Sequence, residues 1–116
     1  MGGRVRGLNV LLLTTTGRKT GKPWTTAVGY IREGGSYVVV ASNAGSDRHP
    51  GWYLNLQKNA AARIQVGTQV VNVDAETTHG DKRQQLWSKF VAASPGYTTY
   101  QTHTSREIPV VLLTPA

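Results

Sequence analysis

The sequence has no cysteine, which removes disulfides, thiolate nucleophiles, zinc ribbons and iron–sulfur ligation together and fits a reducing compartment. Its longest apolar run, Val10 to Leu13, is far shorter than the roughly 20 residues a membrane span needs. No small-residue cleavage site follows that run, so the chain reads as a soluble, cytoplasmic protein. No G-x-G occurs anywhere, which excludes a Rossmann dinucleotide domain. His49, His79 and His103 lack the short spacing of metal-binding pairs and have no carboxylate cluster beside them. They read as surface or helix-end histidines, and no metal is expected. A serine nucleophile would want G-x-S-x-G, of which Gly45-Ser46-Asp47 supplies only a part, so hydrolysis is set aside.

Acidic residues are also scarce: six, against thirteen lysines and arginines, for a net charge of +7. Arg4, Arg6, Arg18, Lys19 and Lys22 all precede the first acid, Glu33. Such a block concentrates anions, which leaves nucleic acid, anionic lipid and a phosphorylated cofactor as candidate partners. At 116 residues the chain has the size of one domain. Its hydrophobic content of 39% suffices to bury roughly two-thirds of the unfolded surface without a staple.

Strands are predicted over 9–15 and 24–32 with a basic connection between them, and over 36–42 after the Gly34-Gly35 turn. Residues 43–51 have loop composition. Pro50 suits the first position of a short helix carrying Trp52, Tyr53 and Leu56 and ending near Asn59. A second hairpin turns at Gly67-Thr68, with Ile64, Val66, Val71 and Val73 alternating. From Asp81 to Ala93 the apolar period lengthens to that of an amphipathic helix, residues 97–103 offer a further helical turn, and 108–115 close the chain as a strand. The fold class expected is mainly β with α (α+β), with about six mostly antiparallel strands and two or three helices, in a small barrel or sandwich.

GRKTGK at 17–22 imitates a phosphate-binding loop but has one residue too few between its glycines, Pro23 where a hydroxyl residue belongs, and a strand rather than a helix after it. What survives is a turn presenting Arg18, Lys19 and Lys22 among threonine hydroxyls, suited to phosphate or carboxylate oxygens. An exposed turn whose charges serve only solubility has equal weight. Tyr97, Tyr100 and His103 share a face if their segment is helical. The tyrosines there could stack on a planar substrate or donate a proton, although packing against the barrel is the commoner use of such rings. Trp24, Trp52 and Tyr53 carry the same ambiguity between core and ligand wall.

Three strings carry a more specific signal. LLLTTTGRKTGKP at 11–23, VVVASNAG followed by HPGWYLNL at 38–56, and YTTYQTHTSREIPVVLLTP at 97–115 together resemble the deazaflavin-dependent nitroreductases and quinone reductases of actinobacteria, which use reduced coenzyme F-420. The resemblance implies a split β-barrel over a single domain, 1–116, with 1–8 a flexible or trimmed N-terminus. It implies hydride transfer from coenzyme F-420, in preference to FMN, to a planar electron-poor acceptor: a quinone, a nitroaromatic or nitroimidazole, or an activated enone. Arg18, Lys19, Thr20 and Lys22 would hold the cofactor phosphate and acidic tail. Ser42, Asn43, Ala44 and Gly45 would line the deazaflavin, with Pro50, Trp52 and Asn55 on the helix beside it, and Tyr97 and Tyr100 would face the acceptor as catalytic residues. The cofactor brings the redox chemistry, so missing metals and nucleophiles agree with it. The implied partner is a small-molecule acceptor, including a membrane quinone reached by peripheral contact at the inner face of the plasma membrane. A monomer or homodimer is expected, and no nucleic acid.

The sequence departs from the family's pattern at Trp24 and Asn43, where members often carry basic residues, and in having only about eight residues before the first strand. Two other readings stand behind this one. A small basic barrel could bind single-stranded nucleic acid, although the RNP signature is absent and the aromatics do not interleave with the basic block. A non-catalytic F-420 carrier or sensor could use the same fold.

Overall fold

The computed structural model describes residues 4–5 and 8–116, with side chains from Leu8 onward except Ala44. The expectation for residues 1–8 falls mostly outside that range. Within it, Arg4–Val5 forms a two-residue strand, β1, antiparallel to Leu8 and Asn9. Six longer strands follow: β2 (Leu8–Thr16), β3 (Pro23–Glu33), β4 (Ser36–Val40), β5 (Ala61–Val66), β6 (Gln69–Thr77) and β7 (Val110–Pro115). Three α-helices interrupt them, α1 (Gly51–Lys58), α2 (Gly80–Ala93) and α3 (Tyr97–Thr102), and a 3₁₀ turn spans Asn43–Gly45.

The sheet order is β1-β2-β3-β4-β7-β6-β5, and β2 also pairs with β5. Leu13 lies opposite Thr26 on one side and Ile64 on the other, so six antiparallel strands close on themselves. Closure leaves β1 as a short extra strand against β2, and β3 meets β4 only over Ile31–Glu33. The hairpin order read from the sequence is the observed order. What it omitted is the non-local β4–β7 and β2–β5 pairing that turns a series of hairpins into a barrel.

Strand alternation explains the two cores. Leu11, Leu13, Tyr37, Val39, Ala41, Ile64, Val73, Val111 and Leu113 point inward, where Trp52, Tyr53 and Leu56 of α1 plug one end. The alternate residues Leu8, Val38, Val40 and Val110 point outward and are buried by Leu86 and Phe90 of α2 and Tyr97 of α3. The run SYVVV is apolar at almost every position because β4 is covered on both faces. Gly29 belongs to the same packing: a Cβ there would come within 2.9 Å of Leu8 Cδ1.

Pro50 caps α1 instead of occupying its first turn, since the helix begins at Gly51. With extended ψ and no N–H, proline ends the preceding loop and leaves its carbonyl to the first amides of the helix.

Candidate functional site

The basic connection is a tight turn: the Gly17 N–H donates to the Lys22 carbonyl at 2.8 Å and the Gly21 N–H to the Gly17 carbonyl at 2.8 Å. It is docked onto α1 by Asn55, which is 3% exposed. Asn55 Oδ1 accepts from the Arg18 backbone N–H at 3.1 Å and from Arg18 Nη1 at 3.0 Å, while its Nδ2 donates to Thr15 Oγ1 at 3.0 Å. Lys58 Nζ donates to the Arg18 carbonyl at 2.9 Å. Asn55 therefore positions the turn with its polar atoms committed inside the protein. Arg18, Lys19, Thr20 and Asn55 line a pocket of about 320 Å³, bordered by Trp24 and Gly51. Lys22 is exposed at the far end of the turn, outside that lining, with its backbone N–H on Thr20 Oγ1 at 3.3 Å.

Trp24 and Gly51 also border a second cavity of about 440 Å³. Its walls include Ser42, Asn43, His49, Pro50, Trp52 and Tyr97, with β3 across from them. The two spaces thus share an edge, one basic and one aromatic. Trp52 serves both core and wall, Tyr53 belongs to the core, and Trp24 is 60% exposed on the shared edge.

The proposed catalytic tyrosines occupy different places. Tyr97 is buried, meets Phe90 edge-on at 4.9 Å, and forms part of the cavity wall. Tyr100 packs behind it, ring to ring at 5.2 Å. Of the loop residues, Ser42 is buried at the wall, while Asn43 Nδ2 donates to the Arg48 carbonyl at 3.1 Å. Gly45 faces α3: at φ +80° it sits where a Cβ would come within 3.0 Å of the Tyr100 carbonyl oxygen. The Ala44 side chain lies outside the described residues.

Sequence reasoning missed two residues of this site. His79 and His103 do stand at helix ends, exposed, but His49 is half-buried and lines the cavity. It is held there by Arg106, 57 residues away, whose Nη1 lies 3.2 Å from His49 Nδ1. Arg106 also donates to the carbonyls of Ala41, Ser42 and Ser46 and so braces the loop that carries the wall. Burial, and then the Arg106 charge, lower the His49 pKa from its ordinary value. The sequence signal was slight: an arginine before the last strand, separated from its partners by three helices and the β5–β6 hairpin.

Among the described residues no group of three or more His, Cys, Asp or Glu side chains could hold a metal ion. Among them, too, no helix is long and apolar enough to cross a membrane.

Comparison with known proteins supplies the context for this geometry. A family model described as F-420H(2)-dependent quinone reductase matches residues 1–115. An F-420H(2)-dependent quinone reductase of Mycobacterium tuberculosis is 45% identical over 107 residues, covering 90% of this chain and 72% of the relative. Among solved structures, the F-420-H(2) dependent reductase FDR-A superposes with a TM-score of 0.83 at 38% identity, over 90% of this chain and 92% of that one. A domain-swapped dimer matches equally well, at TM-score 0.83 and 38% identity, over 90% and 78% of the two chains. The heme storage protein HutZ of Vibrio cholerae, 14% identical with a TM-score of 0.69 over 92% and 81% of the two chains, shares the fold alone.

Proposed function

The chain belongs to the family of F-420H(2)-dependent quinone reductases, an F-420-dependent oxidoreductase with coenzyme F-420 as its cofactor, and from that membership we propose that it reduces a quinone in the aromatic cavity while the basic pocket holds the cofactor tail. The observation that carries this reading is the shared edge at Trp24 and Gly51, which sets an aromatic-walled space beside a basic one. The residues present fit the group: a planar deazaflavin suits walls built from Trp52 and Tyr97, and its phosphate and glutamate carboxylates suit Arg18 and Lys19. When bound, reduced F-420 supplies the two electrons as hydride.

The protein's own contribution is then binding, orientation and water exclusion. Lys19 and Thr20 offer donors to the anionic tail, with Arg18 oriented for it by Asn55. Ser42, Asn43, Pro50 and Trp52 would line the ring, with Ala44 and Gly45 in the same loop, and Lys22 would add positive charge from the far end of the turn. Tyr97 presents its ring to the acceptor, and Tyr100 supports it from behind. The exposed Trp24 next to the basic turn suits peripheral contact with an anionic membrane face, where a lipid-soluble quinone would be met. Nitroaromatic and activated enone acceptors share the planarity and electron deficiency of a quinone.

The test mixes the protein with reduced F-420 and a panel of quinones, nitroaromatics and enones, following return of the oxidised deazaflavin absorbance, with FMN and NADPH as control cofactors. Acceptor-dependent oxidation with F-420 alone is expected, quinones leading. Binding without turnover of any acceptor would instead make the protein a carrier, and absence of F-420 binding would end the reading. Tyr97→Ala, which removes the ring, is expected to lower turnover more than Tyr97→Phe, which keeps it.

A further inference from the structure

The segment between α3 and β7 delivers Arg106 into the loop of residues 41–49, where all its donors are used. Nε donates to the Ser46 carbonyl at 2.8 Å. Nη2 donates to the Ser42 carbonyl at 2.8 Å and the Ala41 carbonyl at 3.2 Å. Nη1 reaches the Ala41 carbonyl at 3.2 Å and His49 Nδ1 at 3.2 Å. A guanidinium has five N–H groups and no acceptor, so Arg106 must be the donor to His49. Nδ1 then carries the lone pair, and the single proton of the neutral ring sits on Nε2, at the ring edge turned away from Arg106.

The rest of the surroundings hold the ring in place. Tyr53 of α1 packs against it with centroids 4.9 Å apart, and the Tyr53 hydroxyl shares a 2.8 Å hydrogen bond with the Thr77 hydroxyl. Burial lowers the Arg106 pKa from its ordinary value, and the charge of Asp47 in the loop, whose carboxylate accepts from Thr104 Oγ1 at 2.8 Å, opposes that lowering in part. Arg106 and Tyr53 are in contact with His49, Asp47 and Arg48 precede it in sequence, and Tyr97 lines the same cavity. Of these, the positive charge in direct contact is that of Arg106.

We propose that His49 is a neutral, oriented hydrogen-bond donor of the cavity, locked as the Nε2–H tautomer by Arg106, and that it donates to the carbonyl oxygen of a planar ring bound there. This deepens the quinone-reductase reading and rests on it. A quinone oxygen becomes negative as the ring takes up two electrons, and a pre-aimed donor stabilises that charge without reorganising. His49 keeps its proton throughout. Quinone and reduced cofactor become hydroquinone and oxidised cofactor, with both hydrogens accounted for by that pair, so the imidazole enters no proton balance. Arg106 is a positioning residue: it touches no ligand and acts by fixing which nitrogen is protonated.

The first test needs no cofactor. In ¹⁵N-labelled protein at pH 7.5, His49 is expected to show an unprotonated Nδ1 and a protonated Nε2, and a protonated Nδ1 would overturn the assignment. Arg106→Gln is expected to raise the pH at which the His49 ring titrates, and an unmoved titration would remove the role of Arg106. If that variant does not fold, the tautomer in the unmodified protein still decides. His49→Ala is expected to lower kcat/KM for the quinone by roughly 10²-fold, the scale of a lost oxyanion donor, with partial recovery in His49→Gln, whose amide can donate. An unchanged F-420 dissociation constant in His49→Ala assigns the recipient oxygen to the acceptor, and a weakened one assigns it to the cofactor. Full kcat/KM and full F-420 affinity in both variants would sink the proposal. Failure of the unmodified protein to bind F-420 is a different result, since it removes the function and the recipient oxygen while the ring tautomer still reports on the donor.

Discussion

Asn55 and Arg18 are joined twice: one side-chain oxygen accepts both the backbone N–H and the guanidinium Nη1 of the arginine, at 3.1 and 3.0 Å. The bond pair ties the basic turn to α1 and, through Asn55 Nδ2 on Thr15, to the barrel wall. The orientation of the cationic group thus depends on a buried neutral amide.

Asn55→Ala would leave the Arg18 amide and the Thr15 hydroxyl without that partner. Stability is expected to fall by about 1–3 kcal/mol and F-420 affinity to fall with it. Urea unfolding and a fluorescence titration of the cofactor measure the two losses, and full cofactor affinity in the variant would show that Arg18 needs no such support.

Lys19 is exposed on the turn and borders the basic pocket. Lys19→Ala should change stability by less than about 0.5 kcal/mol while weakening F-420 about tenfold, equivalent to about 1.4 kcal/mol. The difference should shrink as salt is raised. An unchanged dissociation constant at low salt would count against the tail pocket.

Gly45→Ala places a side chain at φ +80° and within 3.0 Å of the Tyr100 carbonyl. Backbone strain of this kind costs about 1–3 kcal/mol, and relief requires α3 to move away from the loop. A lower urea midpoint is expected together with reduced turnover, because Tyr97 travels with α3. A midpoint equal to that of the unmodified protein would show that the contact yields freely.

The His49 pKa is lowered in the folded protein, by burial first and by the Arg106 charge second. Its unfolded value is about 6.5, so below that pH the unfolded chain binds a proton that the folded chain resists. Acidification from pH 7 should therefore destabilise the protein progressively, down to the lower folded pKa, and above the unfolded value this group contributes no pH dependence. His49→Gln should flatten the dependence of Tm on pH below about 6.5. An identical slope in the two proteins would assign the acid sensitivity elsewhere.

The local architecture was legible because it is written in short-range patterns. Alternation in the hairpins, the longer period over Asp81 to Ala93 and the glycine turns each express geometry within a few residues. The basic turn and the helix behind Pro50 were readable for the same reason, and the strings containing them carried the family signal. Tyr97 and Tyr100 were equally visible, but their division into one wall residue and one supporting residue was not, because it depends on how α3 meets the 3₁₀ turn at Gly45.

The order of strands and helices along the chain, the family, a basic turn and a helix carrying Trp52 and Asn55 were all legible in the sequence alone. Tertiary structure decided which polar atoms remain available. Closure of β2 on β5 fixed the inside of the barrel, and burial committed the Asn55 amide to protein partners instead of solvent. It also brought Arg106 across to His49 and so selected the proton-bearing nitrogen. Hydrogen-bond direction depends on contacts within about 3 Å, and no periodicity in a chain records which distant donor will arrive at that distance.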